Sequence, residues 1–333
     1  MELKDIKLKP LLETLKLTKI SDEVYFSDEY KHYVSNSRLG LINPKQEGSP
    51  DKFFNGFVST YSSAFALGSA VHELVLQPEY FELAEDTGKP TAKLGVMADE
   101  LYKVFLERNV TKDDVVYASN KVDYFKGKIN DDRFNDIIQK CTPYWNNRRN
   151  YKESDKEIIF LDYRSLEIVK SCVDALLTNK HVTDLLHPEG IDPISVNEQA
   201  ILLDVEVTCP NGKNFIIPLK SKLDNFTIDL NDVVVNDVKT IGKIVSEIDN
   251  NITKFHYSRE FAMYIYLLRF CSQKFYNVVE PNIKANYLVV STIPNFYSKV
   301  RPVTLAEIAQ GFTEFQSLLK YVAYCIGYKG YQL

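Results

Sequence analysis

Between residues 198 and 239 the chain carries three successive runs rich in aliphatic and β-branched residues: EQAILLDVEVT (198–208), NFIIPLKSKLD (214–224) and DVVVNDVK (232–239). Pro210-Asn211-Gly212 separates the first two and is a turn signal, so the runs are expected to form an antiparallel meander. A sheet of this kind has apolar faces that must be covered, and the flanking sequence offers helices to do it. AFALGSAVHELVL, from Ala64 to Leu76, predicts a buried helix stopped near Pro78. Leu166, Val169, Cys172, Val173, Leu176 and Leu177 recur at three and four, which predicts an amphipathic helix over 164–178. Further helices are expected near 256–273 and 304–326, with a strand near 285–291. The fold expected is α/β, a mixed central sheet flanked by helices, with a charged helical insertion after the first helix. That divides the chain into 1–86, an insertion over 87–190, and 191–333. Residues 1–60 read as mixed, and no internal repeat is visible.

Composition narrows the function classes. The chain has 333 residues, 45% of them apolar, enough for a substantial core in one large or two smaller domains. Forty Lys and Arg against 45 Asp and Glu give a net charge of −5, which excludes coating nucleic acid by bulk charge. A polyanion would have to meet a local patch. One candidate is Lys254–Arg301, where seven basic residues face two acids among interleaved aromatics. It reads either as a groove that tracks phosphates and stacks an unpaired end or as a core helix with a basic outer face. Asn146, Arg148 and Arg149 beside Trp145 form a weaker candidate. No apolar run approaches a membrane span, and MELKDIKLKP lacks the apolar region of a signal peptide. Five scattered cysteines without CxxC spacing are expected to be reduced thiols, not a zinc or iron–sulfur site. The expected setting is cytoplasmic, away from membranes.

The chemistry concentrates at the strand ends. Asp237 and Lys239 close the third strand and project from one face, about 7 Å apart along the chain. Acid-x-lysine also occurs at Glu2-Leu3-Lys4, Asp5-Ile6-Lys7 and Glu29-Tyr30-Lys31, where it reads as solvated surface charge. The copy at 237 differs because the preceding strand ends in another acid, Asp224. If the two strands are neighbours, two carboxylates converge and repel unless a cation lies between them. Oxygen ligands favour a hard divalent ion, Mg²⁺ or Mn²⁺. The alternative makes Asp224 a turn former and Asp237 a strand-end charge. Lys220 and Lys222 share the parity of Asp224 and would line its approach, holding phosphates as point charges, unless this is an ordinary solvated strand face.

Together, Gly68-Ser69-Ala70-Val71-His72-Glu73 on a helix, Glu198, Lys222-Leu223-Asp224, Asp237-Val238-Lys239-Thr240 and Tyr257…Glu260…Tyr264 resemble the PD-(D/E)XK nuclease superfamily, with its restriction-endonuclease-like core. The RecE-type and phage exonucleases are the most similar branch, and Ser35-Asn36-Ser37-Arg38-Leu39 with Gly48-Ser49-Pro50 is similar to that branch's opening motif. The resemblance covers about 35–80 and 195–292.

It implies a Mg²⁺- or Mn²⁺-dependent deoxyribonuclease. Asp224, Asp237, Lys239 and His72 would be catalytic, and Asp224, Asp237, the Val238 carbonyl and His72 would surround the ion. Substrate would meet Lys220, Lys222, Tyr257, Arg259, Glu260, Tyr264, Ser37 and Arg38. An unperturbed lysine is a poor base at neutral pH, so electrostatic duty is preferred for Lys239 and the base stays open. Glu73 receives a minor role, and Glu198 is either a site acid or a structural ion pair. One departure is Glu260, where the family carries glutamine. The activity implied is an exonuclease on linear duplex ends, leaving a single-stranded product. It would serve phage recombination or replication beside a single-strand annealing protein, in the host cytoplasm, with self-association. The alternatives are a structure-specific or restriction-type endonuclease and a catalytically weak DNA-binding or assembly protein.

Overall fold

The computed structural model describes residues 6–56, 63–190 and 193–333. The chain opens with β1 (Lys7–Thr18), α1 (Asp22–Tyr25), α2 (Asn36–Ile42), α3 (Pro50–Asn55) and α4 (Ser63–Leu76). Then come β2 (Phe81–Glu85), α5 (Ala92–Glu107), α6 (Lys112–Val122), α7 (Asp131–Arg149), β3 (Glu157–Leu161), α8 (Tyr163–Leu177) and α9 (Lys180–Leu186). The meander follows as β4 (Ile194–Thr208), β5 (Asn214–Asp229) and β6 (Asp232–Ile241). After it run α10 (Ile248–Phe255), α11 (Tyr257–Tyr276), β7 (Asn282–Ser291), β8 (Ser298–Pro302) and α12 (Leu305–Lys329).

Two compact units emerge, one of Met1–Leu76 with Ser171–Leu333 and one of Gln77–Lys170. The first holds a six-stranded sheet in the order β1-β4-β5-β6-β7-β8. Neighbours are antiparallel except β6 and β7, which are parallel and joined by a crossover that carries α10 and α11. The architecture is therefore the mixed α/β one expected from the sequence. Gly212, at φ +81°, supplies the left-handed residue of the β4–β5 turn, which closes when Cys209 N–H donates to Lys213 O at 2.9 Å.

One sheet face is covered by α2, α11 and α12, whose Leu39, Phe261, Leu267 and Phe315 join Val235 and Tyr287 in the core. Helix α12 starts at a capping box, Thr304 accepting from Glu307 N–H while the Glu307 carboxylate reaches back to Thr304 N–H. It crosses α11 at Gly311, where an added Cβ would lie 2.0 Å from Ser258 O. No larger residue fits that approach.

Two strands of this sheet were not expected, and neither were β2 and β3, the latter inside the stretch read as a helical insertion. Residues read as mixed form β1, paired with β4 from Lys7↔Thr208 to Thr18↔Ala200 and interrupted between Leu11 and Lys16. Pro10 and that interruption break the alternation that would have announced it. The five-residue β8 completes the other edge.

In the second unit, α5, α6 and α7 enclose Met97, Leu101, Val115, Ile137, Tyr144 and Trp145, beside a parallel pair of β2 and β3. Trp145 is 1% exposed and its indole N–H donates to Ala98 O, which makes it a core residue. Arg148 lies over the Tyr144 and Phe160 rings. All five cysteines are free and buried. Among the described residues no helix is long and apolar enough to cross a membrane.

Candidate metal centre

Strands β5 and β6 pair from Asp229↔Asp232 only as far as Asn225↔Asn236. At the next position, where Asp224 would oppose Asp237, the ladder stops. Asp224 Oδ2 accepts the Val238 N–H at 2.8 Å instead. The aspartates thus stand on either side of the point where the two strands part.

Helix α4 approaches β6 closely, with a Cβ built on Gly68 lying 3.1 Å from Thr240 Oγ1. One turn on, His72 Nε2 is 2.5 Å from Val238 O. A carbonyl can only accept, so Nε2 carries the proton and the neutral ring keeps its lone pair on Nδ1. Nδ1 lies 3.3 Å from Asp224 Oδ2.

A third donor comes from β4. Glu198 lies between the paired residues Asn197↔Asn225 and Gln199↔Leu223, with its backbone in the left-handed region at φ +53°. One donor atom each from His72, Glu198 and Asp224 lie within 4.8 Å of one another. Glu198 Oε2 also meets Lys222 Nζ at 2.7 Å, and the same ammonium reaches Asp22 at 2.5 Å.

Helix α11 forms the other wall. Tyr257, Glu260 and Tyr264 recur at three and four along it and share a face. Lys239 Nζ lies 3.1 Å from Glu260 Oε2, 2.7 Å from Asp237 Oδ2 and 4.6 Å from the centre of the Tyr257 ring.

Electrostatics follow from this crowding. Burial pushes the Asp237 carboxyl well above the usual carboxylate range, and Asp224 and Glu260 add to the push while Lys239 opposes it. Asp224 is raised as well, by burial and then by Glu198. Burial lowers His72. Burial alone would lower Lys239 too, but Asp237, Glu260 and Asp224 outweigh it and hold the ammonium well above the ordinary lysine value. Asp237 Oδ2 is buried without an aligned hydrogen bond.

Four carboxylates against two ammonium groups and a neutral imidazole leave the centre short of positive charge. An imidazole nitrogen and carboxylate oxygens so disposed can hold a divalent metal ion. Donors that converge most tightly are His72, Glu198 and Asp224, with Asp237 alongside on Lys239 and the Val238 carbonyl engaged by His72. For Glu198 the sequence left a site acid and a structural ion pair open, and both descriptions apply, since it converges on His72 and Asp224 while pairing with Lys222; its left-handed backbone could not be read from composition.

Other residues named from the sequence are held elsewhere. Lys220 does not line the approach to Asp224. It is 5% exposed, donates to Tyr25 O at 2.6 Å and sits 4.2 Å over the Tyr25 ring. Arg259, 1% exposed, is a core residue bonded to Asn36, Gln46 and Glu314. Arg38 donates to Lys31 O and Tyr33 O and covers the Phe53 ring. Ser37 is exposed, its hydroxyl 3.0 Å from that of Ser35. In the basic stretch, Lys274 holds Leu12 O and Leu15 O, Lys284 holds Asp232, and Arg301 holds Asp249 and Glu307. Those three cations stitch the fold together.

No family model matches this chain, and no curated protein matches it. Among solved structures, it is similar to a protein from Eubacterium rectale provisionally named an exonuclease, at 10% identity, covering 92% of this chain and 86% of that one, with a TM-score of 0.47. A second similar structure is SSO0001, at 11% identity, covering 83% of this chain and 100% of that one, with a TM-score of 0.25.

Proposed function

We propose that this protein is a metal-dependent nuclease that hydrolyses DNA phosphodiester bonds, acting as an exonuclease on linear duplex ends. The observation that carries the reading is the pair of aspartates at the parting of β5 and β6, with the His72 and Glu198 donors beside Asp224 and the Lys239 ammonium beside Asp237. Asp224, Asp237, Glu198 and His72 would hold Mg²⁺ or Mn²⁺. When bound, such an ion supplies Lewis-acid stabilisation of a phosphoryl oxygen and a more acidic water.

The protein's own groups do the rest. Nδ1 of His72 is kept unprotonated and directed at Asp224 because Nε2–H is committed to Val238 O. Lys239, held charged by three acids, is suited to stabilising negative charge that develops on the phosphate and is unsuited to removing a proton. Tyr257 and Lys222 flank the centre and would orient the sugar–phosphate backbone. Service in phage recombination beside an annealing protein, and self-association, belong to the same reading and come from the sequence resemblance alone.

The test compares linear duplex with covalently closed circular DNA, with and without Mg²⁺. Wild type should release nucleotides from linear ends only with the ion, and Asp237→Asn and Lys239→Ala should each lose about 10²-fold or more. Rapid loss of the circle would replace the exonuclease by an endonuclease. Equal behaviour of wild type and variants would remove the site.

A further inference from the structure

Four asparagines run across the four central strands in one directed chain of amide hydrogen bonds. Asn286 on β7 donates to Asn236 Oδ1 on β6 at 3.1 Å, and Asn236 donates to Asn225 Oδ1 on β5 at 2.8 Å. Asn225 donates to Asn197 Oδ1 on β4 at 2.7 Å, and Asn197 donates to Leu76 O, the last residue of α4, at 2.7 Å. Spare protons are used too, by Ser195 Oγ for Asn225 and Leu185 O for Asn236. Asn225 and Asn236 are wholly buried, and no buried side-chain atom of the ladder is left without a partner.

We infer that this ladder is the device that positions the candidate centre. It fixes the rung from which Glu198, Asp224 and Asp237 project and ties that rung to the helix bearing His72. The inference rests on the nuclease reading above for what the centre does, and on geometry for the rest. Each ladder amide on β4, β5 and β6 adjoins a site acid: Asn197 precedes Glu198, Asn225 follows Asp224, and Asn236 precedes Asp237. Leu76 lies one helical turn beyond His72.

Stability alone does not call for these amides. The adjoining rung, Val196↔Phe226 and Phe226↔Val235, projects to the opposite face of the sheet and is apolar, so the amides are confined to the face that carries the ladder. Polar groups buried at this depth gain little net free energy even when fully satisfied. What they add is register. The β4–β5 and β5–β6 pairings are set by tight turns, but β6 and β7 are joined through a long crossover, so no turn aligns them. The run Val233-Val234-Val235 is self-similar and tolerates a slip. Asn236 opposite Asn286 does not, because a slipped strand would set a buried amide against an apolar side chain. A slip of β6 would also carry Val238 away from His72. At the other end, Asn197 anchors the backbone beside Glu198, whose left-handed conformation is unfavourable for a residue with a side chain and persists only if its neighbours hold it.

The test uses the full chain with Asn236→Val and Asn286→Val together, against Val233→Ala as a control that loosens the same strand without touching an amide. Two quantities are read besides the unfolding midpoint: Mn²⁺ affinity, and the ¹⁵N NMR signature of the His72 Nε2–H bonded to Val238 O, which needs no metal. Both proteins should unfold more easily. Only the ladder variant should lose at least tenfold in Mn²⁺ affinity and show a displaced or broadened His72 signal. Should the double variant not fold, Asn286→Ser, which keeps a shorter donor, should give the same two changes in weaker form. Mn²⁺ affinity and a His72 signal as in wild type would overturn the inference and leave the ladder a core feature only. A wild type that binds no Mn²⁺ would count against the nuclease reading, while the His72 signal would still decide the ladder.

Discussion

Lys220 illustrates how far a single residue can depart from its sequence reading. Strand parity aligned it with Lys222 and Asp224, but parity gives a face and says nothing of what covers that face. Tyr25, delivered from α1, closes over it, and burial followed by the nearby Arg38 lowers its pKa to about 8 from 10.5. The consequence for stability has a definite sign. Below about pH 8 both folded and unfolded chains carry the charge, so the burial penalty is borne in full. Between about 8 and 10.5 the folded chain sheds its proton first, and stability should rise, by something on the order of 3 kcal/mol in total. Lys220→Met should abolish that rise, which urea unfolding of both proteins at pH 7.5, 9 and 10.5 would check by difference. Glu260 permits a second expectation. Its carboxylate holds Lys239 where a phosphate would also bind, so Glu260→Gln should lower KM for DNA roughly three- to tenfold and change kcat less. Steady-state kinetics on linear duplex would decide.

At the scale of elements, what could be read was what local chemistry dictates. β-rich composition and the Pro210-Asn211-Gly212 turn disclosed β4, β5 and β6, recurrence at three and four disclosed α8, and helices were also expected where α4, α11 and α12 lie. Strand β1 escaped because its partner lies far along the chain and its pattern is broken, and β8 because five residues carry too little periodicity. The same boundary runs through the candidate centre. Asp224, Asp237, Lys239, His72 and Glu198 stand in ordered motifs, although the role of Glu198 stayed open until its left-handed backbone was known, and Arg259 is withdrawn by tertiary contacts from three other elements. The α11–α12 crossing was equally illegible, since a glycine in a helix looks like a weakness until its neighbour is known. Gly311→Ala would force a methyl group into Ser258 O and should destabilise by about 3 kcal/mol or more, measurable as a lower urea midpoint with retained slope.

For the whole molecule, the sole tryptophan is a convenience. Trp145 belongs to the core of the 77–170 unit, and the candidate metal centre belongs to the other unit. Tryptophan fluorescence should therefore follow one unit, while far-UV circular dichroism follows both. Chemical denaturation is expected to give non-coincident transitions by the two probes. Adding Mn²⁺ at 100 times its dissociation constant should stabilise the unit bearing the centre by about 2.7 kcal/mol and leave the fluorescence transition where it was. Coincident curves that shift together would mean that the units unfold as one.

The long-range pairing of β1 with β4 has a consequence in the order of synthesis. As the chain leaves the ribosome, Lys7–Thr18 emerges early, yet the residues it must dock on, 200–208, follow only after the whole 77–170 unit has been made. Throughout that interval the nascent segment has no pairing partner, and the sheet cannot close from the side on which it began. Translation speed and chaperone supply should accordingly govern the yield of this protein more than its final stability does.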